Sequence, residues 1–393
     1  MPISIRGFAM TEAPNIVPAA AGIAPADGEM ALGRSLFQDA WRRLRRNRAA
    51  VASAVVLVVL ALAGLIGPMV APHSYDRIYP QYVRVPASFE AYPKEDDIVP
   101  AFESALARAR ITIGATEVNG NTVSAPISDD EPLDPRITRY LDRSDLFSNV
   151  RIDQLSADGR SGVMLADVSR LQFIFGTDNN GRDLLARILI GIRISLAIGV
   201  LASAMALVLG VTYGAIAGYY GGKIDSVMMR IVDIFYSLPF IFFVILLVVF
   251  FGRSFILIFI AIGATEWLDM SRIVRGQTLT LKRQEFVQAA EALGATTSGI
   301  LKRHIIPNTL GPVVVYATLL IPKAILLESL LSFLGLGVQE PLTSLGLLIS
   351  EGAENIRGAT WLLIFPAVTL TMILFALNFL GDGLRDALDP KDR

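Results

Sequence analysis

The apolar residues of this chain gather into long uninterrupted blocks, not into the periodic faces of soluble helices. Such blocks occupy residues 50–70, 194–219, 234–251, 255–267, 311–334 and 361–380. A helix of about 20 apolar residues crosses the hydrocarbon core of a bilayer. The pattern therefore predicts an all-α membrane protein with six transmembrane helices. The fourth block is short and reaches full length only by continuing toward Met270, and Gly252-Arg253-Ser254 makes a tight turn before it. The first block is longer than the apolar region of a signal peptide and no cleavage site follows it, so it reads as a retained signal-anchor.

The charged positions orient these blocks. Residues 1–35 are rich in Ala, Pro and Gly and read as a disordered cytoplasmic tail. Residues 36–72 are then a cytoplasmic lead-in and the first span. The lead-in contains Arg42, Arg43, Arg45, Arg46 and Arg48, and short basic segments stay on the cytoplasmic side. An even number of spans returns the C-terminus to that side, where Arg385, Lys391 and Arg393 agree. Arg272, Arg275, Lys282, Arg283, Lys302 and Arg303 place the segment between spans four and five inside as well. The short outside loops offer only Arg253 and Arg357.

Residues 73–174 separate spans one and two and fall outside, followed by a helical core at residues 175–393. The insert has acidic clusters at Glu95-Asp96-Asp97 and Asp129-Asp130-Glu131. Asn119-Gly120 between two apolar runs is a hairpin signal. Residues 134–147 read as a short amphipathic helix with Ile137, Leu141 and Phe147 on its apolar side. These features describe a small, partly ordered extracytoplasmic module; a wholly disordered loop is the alternative.

Composition narrows the chemistry. The chain is 53% hydrophobic and 18% charged, where soluble domains hold about 25% charged residues. A net charge of −1 gives no reason to expect a nucleic-acid partner. There is no cysteine, and the two histidines, His73 and His304, lie far apart, so neither a catalytic constellation nor a metal site is expected. Residues 217–224 superficially match a phosphate loop, but Ala217 replaces its first Gly, Ile224 replaces its hydroxyl residue, and an apolar helix precedes it instead of a strand. No nucleotide site is expected in the chain.

Span two places small residues at every fourth position: Ala202, Ala206, Gly210, Gly214, Gly218 and Gly222. Such a ridge admits close approach of another helix, which makes Gly210, Gly214 and Gly218 a candidate packing face. Span five contains Lys323 and Glu328. Charges at membrane depth are costly and usually face a cavity or a partner. Both residues are candidates for lining a pathway, with pairing of Lys323 to Glu266 or Asp269 as the other reading.

The inside segment 286–307 joins good helix formers to Gly294, which can take the left-handed conformation that ends a helix, and then to a second helical stretch running to Pro307. Its alanines leave a thin helix able to enter a groove on a soluble protein. It resembles the EAA loop of ABC-importer permeases (E-A-A, three residues, Gly, nine residues, I-x-L-P). Ala289, Ala290, Gly294 and Pro307 match at that spacing, while Gln288 stands for the Glu, His304 for the Ile and Ile306 for the Leu. Residues 175–183, reading F-G-T-D-N-N-G-R-D, are similar to a block ahead of span two in peptide and nickel permeases. Residues 328–341, reading E-S-L-L-S-F-L-G-L-G-V-Q-E-P, are similar to a block after their span five, and residues 381–390 fit the family ending. Asp178 and Asp183 in the first block flank a helix start and can cap its amides.

The resemblance spans residues 36–72 and 175–393 and points to the oligopeptide, dipeptide and nickel permeases of ABC importers, most of all the C-type oligopeptide subunit. It implies the type-1 importer permease fold in a bacterial inner membrane. It also implies a homologous permease partner, two cytoplasmic ATPases that use ATP and Mg, and an extracytoplasmic peptide-binding protein. Gln288, Ala289, Ala290, Glu291, Gly294, Ala295 and Pro307 become the ATPase-coupling residues. A dipeptide or nickel permease is the nearest alternative. An ion-coupled secondary transporter needs internal inverted repeats, which the sequence lacks. The insert departs from the family's shorter loop, and Leu345 stands where many relatives have Trp.

Overall fold

The computed structural model describes residues 36–388; the tail expected at residues 1–35 and the last five residues lie outside the described part. Helix α1 (Leu36–Arg46) leads into α2 (Arg48–Val70). The joint is Asn47, whose side chain accepts a 3.2 Å hydrogen bond from the Ala50 amide and so caps α2. Most of α2 is apolar and exposed, including Val55, Val58, Val59, Leu62 and Leu65, as a lipid-facing helix must be.

The insert is a folded domain. Its elements are β1 (Ala91–Tyr92), α3 (Glu95–Leu106), β2 (Thr112–Ile113), β3 (Glu117–Asn119), β4 (Thr122–Ser128), α4 (Thr138–Asp142), β5 (Phe147–Asp153), β6 (Ser161–Val168) and β7 (Leu171–Gln172). The strands pair antiparallel in the order β2-β4-β6-β5, and β3 folds back on β4 across Gly120-Asn121, one residue beyond the expected Asn119-Gly120 turn, with Gly120 at φ +64°. Alternation places Val123, Ala125 and Ile127 of β4 and Met164, Ala166 and Val168 of β6 on the inner face. Ile98, Phe102 and Leu106, four residues apart on α3, cover it.

The insert follows the ordered reading and not the disordered-loop alternative, and the all-α description applies to the bundle outside it. One expectation is corrected here. The helix expected over residues 134–147 is a 3₁₀ turn at Pro135–Ile137 followed by α4, and it ends at Asp142. Ile137, Leu141 and Phe147 are all buried. Phe147 reaches the core from a strand, because pairing with Val168 draws it into the β5–β6 ladder.

The remaining elements are helical: α5 (Leu184–Tyr220), α6 (Gly222–Ser237), α7 (Phe240–Phe251), α8 (Phe255–Leu281), α9 (Glu285–Ala292), α10 (Thr297–Ile300), α11 (Ile306–Phe333), α12 (Leu345–Glu354) and α13 (Trp361–Leu388). Helix α5 is the axis of the bundle and packs on α2, α8, α11 and α12. Its 37 residues span about 55 Å at 1.5 Å per residue. The insert sits at its N-terminal end and α9 at its C-terminal end.

Among the described residues, four helices are long and apolar enough to cross a membrane: α2, α5, the continuous run Thr297–Phe333, and α13. The third expected span is not one straight helix over residues 234–251. Helices α6 and α7 meet there at an 83° bend. Pro239 explains it, since the residue before proline is excluded from helical backbone, and Leu238 is extended at ψ 127°. The fourth expected span extends past Met270 as the 27-residue α8. From its middle onward it bears Glu266, Asp269, Arg272 and Arg275.

The insert meets the core through a strap and a neck. In the strap, Tyr79 N bonds Gly181 O at 3.3 Å, Arg84 N bonds Asp178 O at 3.1 Å and Thr177 N bonds Val85 O at 2.9 Å. The backbones are so close that a Cβ on Gly181 would lie 2.1 Å from Tyr79 O. The neck is the two-residue β1–β7 pair, Ala91↔Gln172 and Tyr92↔Leu171. Excision at the neck, replacing residues 93–170 by a short Gly/Ser linker, is expected to leave the helical bundle folded. A deletion that starts at residue 80 removes part of the strap and is expected to abolish accumulation in the membrane. Detergent-solubilised size-exclusion profiles of both variants check this; a collapse of the neck excision would show that the domain is needed for the bundle itself.

Candidate functional sites

At the C-terminal end of α5, residues 285–307 form a bent helical unit. Helix α9 ends in a Schellman arrangement: Ala295 N bonds Ala290 O and Gly294 N bonds Glu291 O, both at 3.0 Å. Gly294 supplies the left-handed turn at φ +80°. Val287, Ile300 and Ile305 are buried against Tyr219 and Val274. Tyr219 Oη donates to Glu291 Oε1 at 2.8 Å, and Lys282 Nζ donates to Tyr219 O at 2.6 Å. One face is thus fixed to the bundle. The other presents Gln288, Ala289, Gly294, Ala295 and Pro307 to the exterior, with Ala290 half-buried and Phe286 and Leu293 exposed at 42% and 89%. Pro307 does not begin a new helix. The run is continuous from Thr297, with a π turn at Leu301–Ile305 that accommodates a ring lacking an amide hydrogen.

The small residues of α5 face α8. A Cβ on Gly210 would lie 2.5 Å from the Met270 side chain, on Gly214 2.3 Å from Ser271 O, and on Gly218 2.8 Å from Arg275 O. Gly222 lies beyond the end of α5 and would meet nothing within 4 Å.

Lys323 and Glu328 have different surroundings. Lys323 Nζ lies 2.8 Å from Glu266 Oε2 and 3.4 Å from Asp269 Oδ2, with its side chain half-exposed. Glu328 is fully buried. Ser332 Oγ donates to it at 2.6 Å and Ser195 Oγ at 3.4 Å. It lines no surface of this chain, and the expectation that it lines a pathway is not met: as the sixth position after Pro322, it points into the α5–α12 interface.

At the N-terminal end of α5 a chain of charges runs through the F-G-T-D-N-N-G-R-D block. Asp183 caps α5 by accepting from Leu185 N at 2.9 Å, and its other oxygen lies 2.9 Å from His73 Nδ1. Asp178 does not cap the helix. Its Oδ1 closes the loop on the Asn180 and Arg182 amides, and its Oδ2 accepts from Arg182 Nε at 2.7 Å and Arg187 Nη1 at 2.6 Å. Arg182 reaches Glu340 and Arg187 reaches Glu351, at 2.8 and 2.7 Å. Arg187, Glu351 and the Asp225–Arg275 pair escaped the sequence reading. The only signal for Arg187 was an arginine inside the first turn of an apolar helix.

Comparison with known proteins shows the family. A family described as the inner membrane component of binding-protein-dependent transport systems matches residues 210–393, and the N-terminal TM domain of oligopeptide transport permease C matches residues 35–87. The oligopeptide transport system permease protein OppC of Escherichia coli (strain K12) is 48% identical over 361 residues, covering 92% of this chain and 93% of the relative. The dipeptide transport system permease protein DppC of Bacillus subtilis (strain 168) is 36% identical over 91% of this chain and 87% of its own length. A solved inward-facing MetNI methionine ABC transporter aligns with 51% of this chain and 96% of its own chain, at 20% identity and a TM-score of 0.44. The chain belongs to the OppC-type family of oligopeptide ABC transport permeases, which are multi-pass inner-membrane proteins.

Proposed function

We propose that this chain forms, with a second homologous permease subunit, the pathway through which an ABC importer moves oligopeptides inward. Two partner ATPases use ATP and Mg and press on residues 285–307; the chain itself binds no cofactor. The chain crosses the membrane six times, with the α6–α7 pair as span three and α8 as span four. Both termini lie in the cytoplasm, and a binding protein delivers peptide at the insert's side. The observation that supports this most is the placement of the α9–Gly294–α10 unit: one face fixed by Val287 and Glu291, the other thin, exposed and tipped by Leu293, at the end of α5 opposite the insert. The higher identity to OppC than to DppC favours longer peptides, and uptake of a dipeptide against a pentapeptide decides between them.

Gly294→Val forces a β-branched residue into left-handed backbone, which costs about 1–2 kcal/mol. Ala290→Glu adds bulk and charge at the half-buried edge where α9 meets the bundle. Both variants are expected to insert normally while ATP-driven uptake in proteoliposomes falls below about a tenth, as expected when an interface hot spot is lost. Normal transport by both would remove the coupling assignment.

A further inference from the structure

Near the middle of α8 and α11, three ionisable side chains meet without balancing. Among the described residues, Lys323 is the single cation paired with Glu266 and Asp269. The next cations along α8 are engaged elsewhere: Arg272 with Asp233 at 2.8 Å and over the Tyr236 ring at 4.4 Å, and Arg275 with Asp225 through two hydrogen bonds. With both carboxylates ionised, the cluster holds one negative charge in excess. Burial distributes that excess unevenly. The Glu266 side chain is 5% exposed, whereas Asp269 is 28% and Lys323 48% exposed, so the charge is presented on an open edge. Tyr316 lies two turns before Lys323, on the same face of α11, and is half-buried. Carboxylates beside phenol rings recognise an alkylammonium, through charge-assisted hydrogen bonds and the ring faces.

We propose that Glu266, Asp269 and Tyr316 form a transient subsite for the α-ammonium of the peptide in transit. Lys323 holds the two carboxylates between passages, and the arriving ammonium docks on Asp269 at the open edge. Uncompensated charge at membrane depth is costly, so the excess carboxylate gives the cationic end of a peptide a reason to enter first. The inference rests on the reading of the chain as a peptide permease.

The test uses the full complex, with its partner permease, ATPases and binding protein, in proteoliposomes. Uptake of trialanine and of N-acetyl-trialanine is compared for the intact chain, Asp269→Asn and Asp269→Glu. The binding protein is common to all arms, so its preference cancels in each variant-to-parent ratio. Asp269→Asn is expected to lower trialanine uptake about fivefold or more, the effect of one unit charge at contact, with N-acetyl-trialanine unchanged and Asp269→Glu restoring the difference. N-acetyl-Ala-Lys-Ala separates a side-chain ammonium from the α-ammonium. A second readout is independent of delivery: the chain lacks cysteine, so Leu319→Cys, 37% exposed and one turn from Lys323, is a unique reporter. Its reaction with an ethylammonium methanethiosulfonate is expected to outpace that with the ethylsulfonate reagent about tenfold, an advantage that Asp269→Asn erases. Equal loss of both peptides, or a reagent preference indifferent to Asp269, overturns the subsite. Failure of the intact complex to move any peptide overturns the functional reading instead, and with it the subsite.

Discussion

Gly214→Leu is expected to prevent the permease from accumulating as a folded protein. The atom that a side chain at 214 would strike is the main-chain oxygen of Ser271, at 2.3 Å from the position of Cβ, with Val274 Cβ at 2.9 Å and Arg275 N at 3.0 Å. No rotamer change clears a backbone atom, so α5 and α8 must separate. That seam continues through Gly210 and Gly218 in the same register. Overpacking typically costs about 1–3 kcal/mol where side chains can shift; here they cannot, and the cost exceeds that range. The check is monodispersity and thermal stability in detergent, with Gly276→Leu as control. Gly276 lies on an exposed face of α8, where a Cβ would meet nothing within 4 Å, so the control should match the parent. An unchanged melting transition for Gly214→Leu would show that the helices do not depend on close approach.

Why was this seam legible beforehand, when other features were not? Small residues repeating every fourth position report directly on one face of a helix, and an apolar block reports directly on length. Both are local properties of the chain. The insert shows the opposite case. Its hairpin was readable from the Asn119-Gly120 signal, although the turn falls one residue later at Gly120-Asn121, yet the partner of β4 on its other side is β6, some forty residues away. Nothing local announces that pairing. Phe147 was misplaced for the same reason: at helical spacing from Ile137 and Leu141 it looked like a helix position, but pairing with Val168 overrides the local pattern.

The α6–α7 elbow lies between these cases. Ser237-Leu238-Pro239 carries a readable helix-stop signal, but the apolar residues on either side of it masked the stop. Composition cannot reveal the angle, which depends on what α6 packs against. Asp225 and Asp233 tie α6 to Arg275 and Arg272 of α8, and those partners are separated by about forty to fifty positions. The bent helical unit at residues 285–307 was the most legible element, since its helix, glycine turn and second helix lie in one continuous stretch. The pairing of Lys323 was anticipated only as one of two readings, because helix periodicity gives a face but not the neighbour.

Arg187→Met is expected to destabilise the protein by about 3–5 kcal/mol, the usual result of removing one partner from a buried ion pair. Arg187 is 2% exposed and is among the largest fully buried side chains of the chain. It stands between Asp178 at 2.6 Å and Glu351, which it grips with both terminal nitrogens at 2.7 and 3.2 Å. The order Glu340–Arg182–Asp178–Arg187–Glu351 joins the loop after α11, the loop before α5, α5 itself and α12. Removing Arg187 leaves Asp178 with Arg182 alone and Glu351 with no cation among the described residues. The two carboxylates should respond differently. The Glu351 side chain is 28% exposed and can recruit water, whereas Asp178 at 4% cannot. Most of the penalty therefore falls on the Asp178 side. Accordingly, Glu351→Leu in the Arg187→Met background should restore only a minor part of the lost stability, and the two changes should be non-additive by at least about 0.5 kcal/mol, as expected for residues in direct contact. Arg187→Lys, with one donor group where the guanidinium has two, should fall between the parent and Arg187→Met. Melting transitions of the parent, both single variants and the double variant measure the cycle. Strict additivity, or a single variant Arg187→Met that melts with the parent, would show that the charges at this end of α5 are neighbours without being a joint.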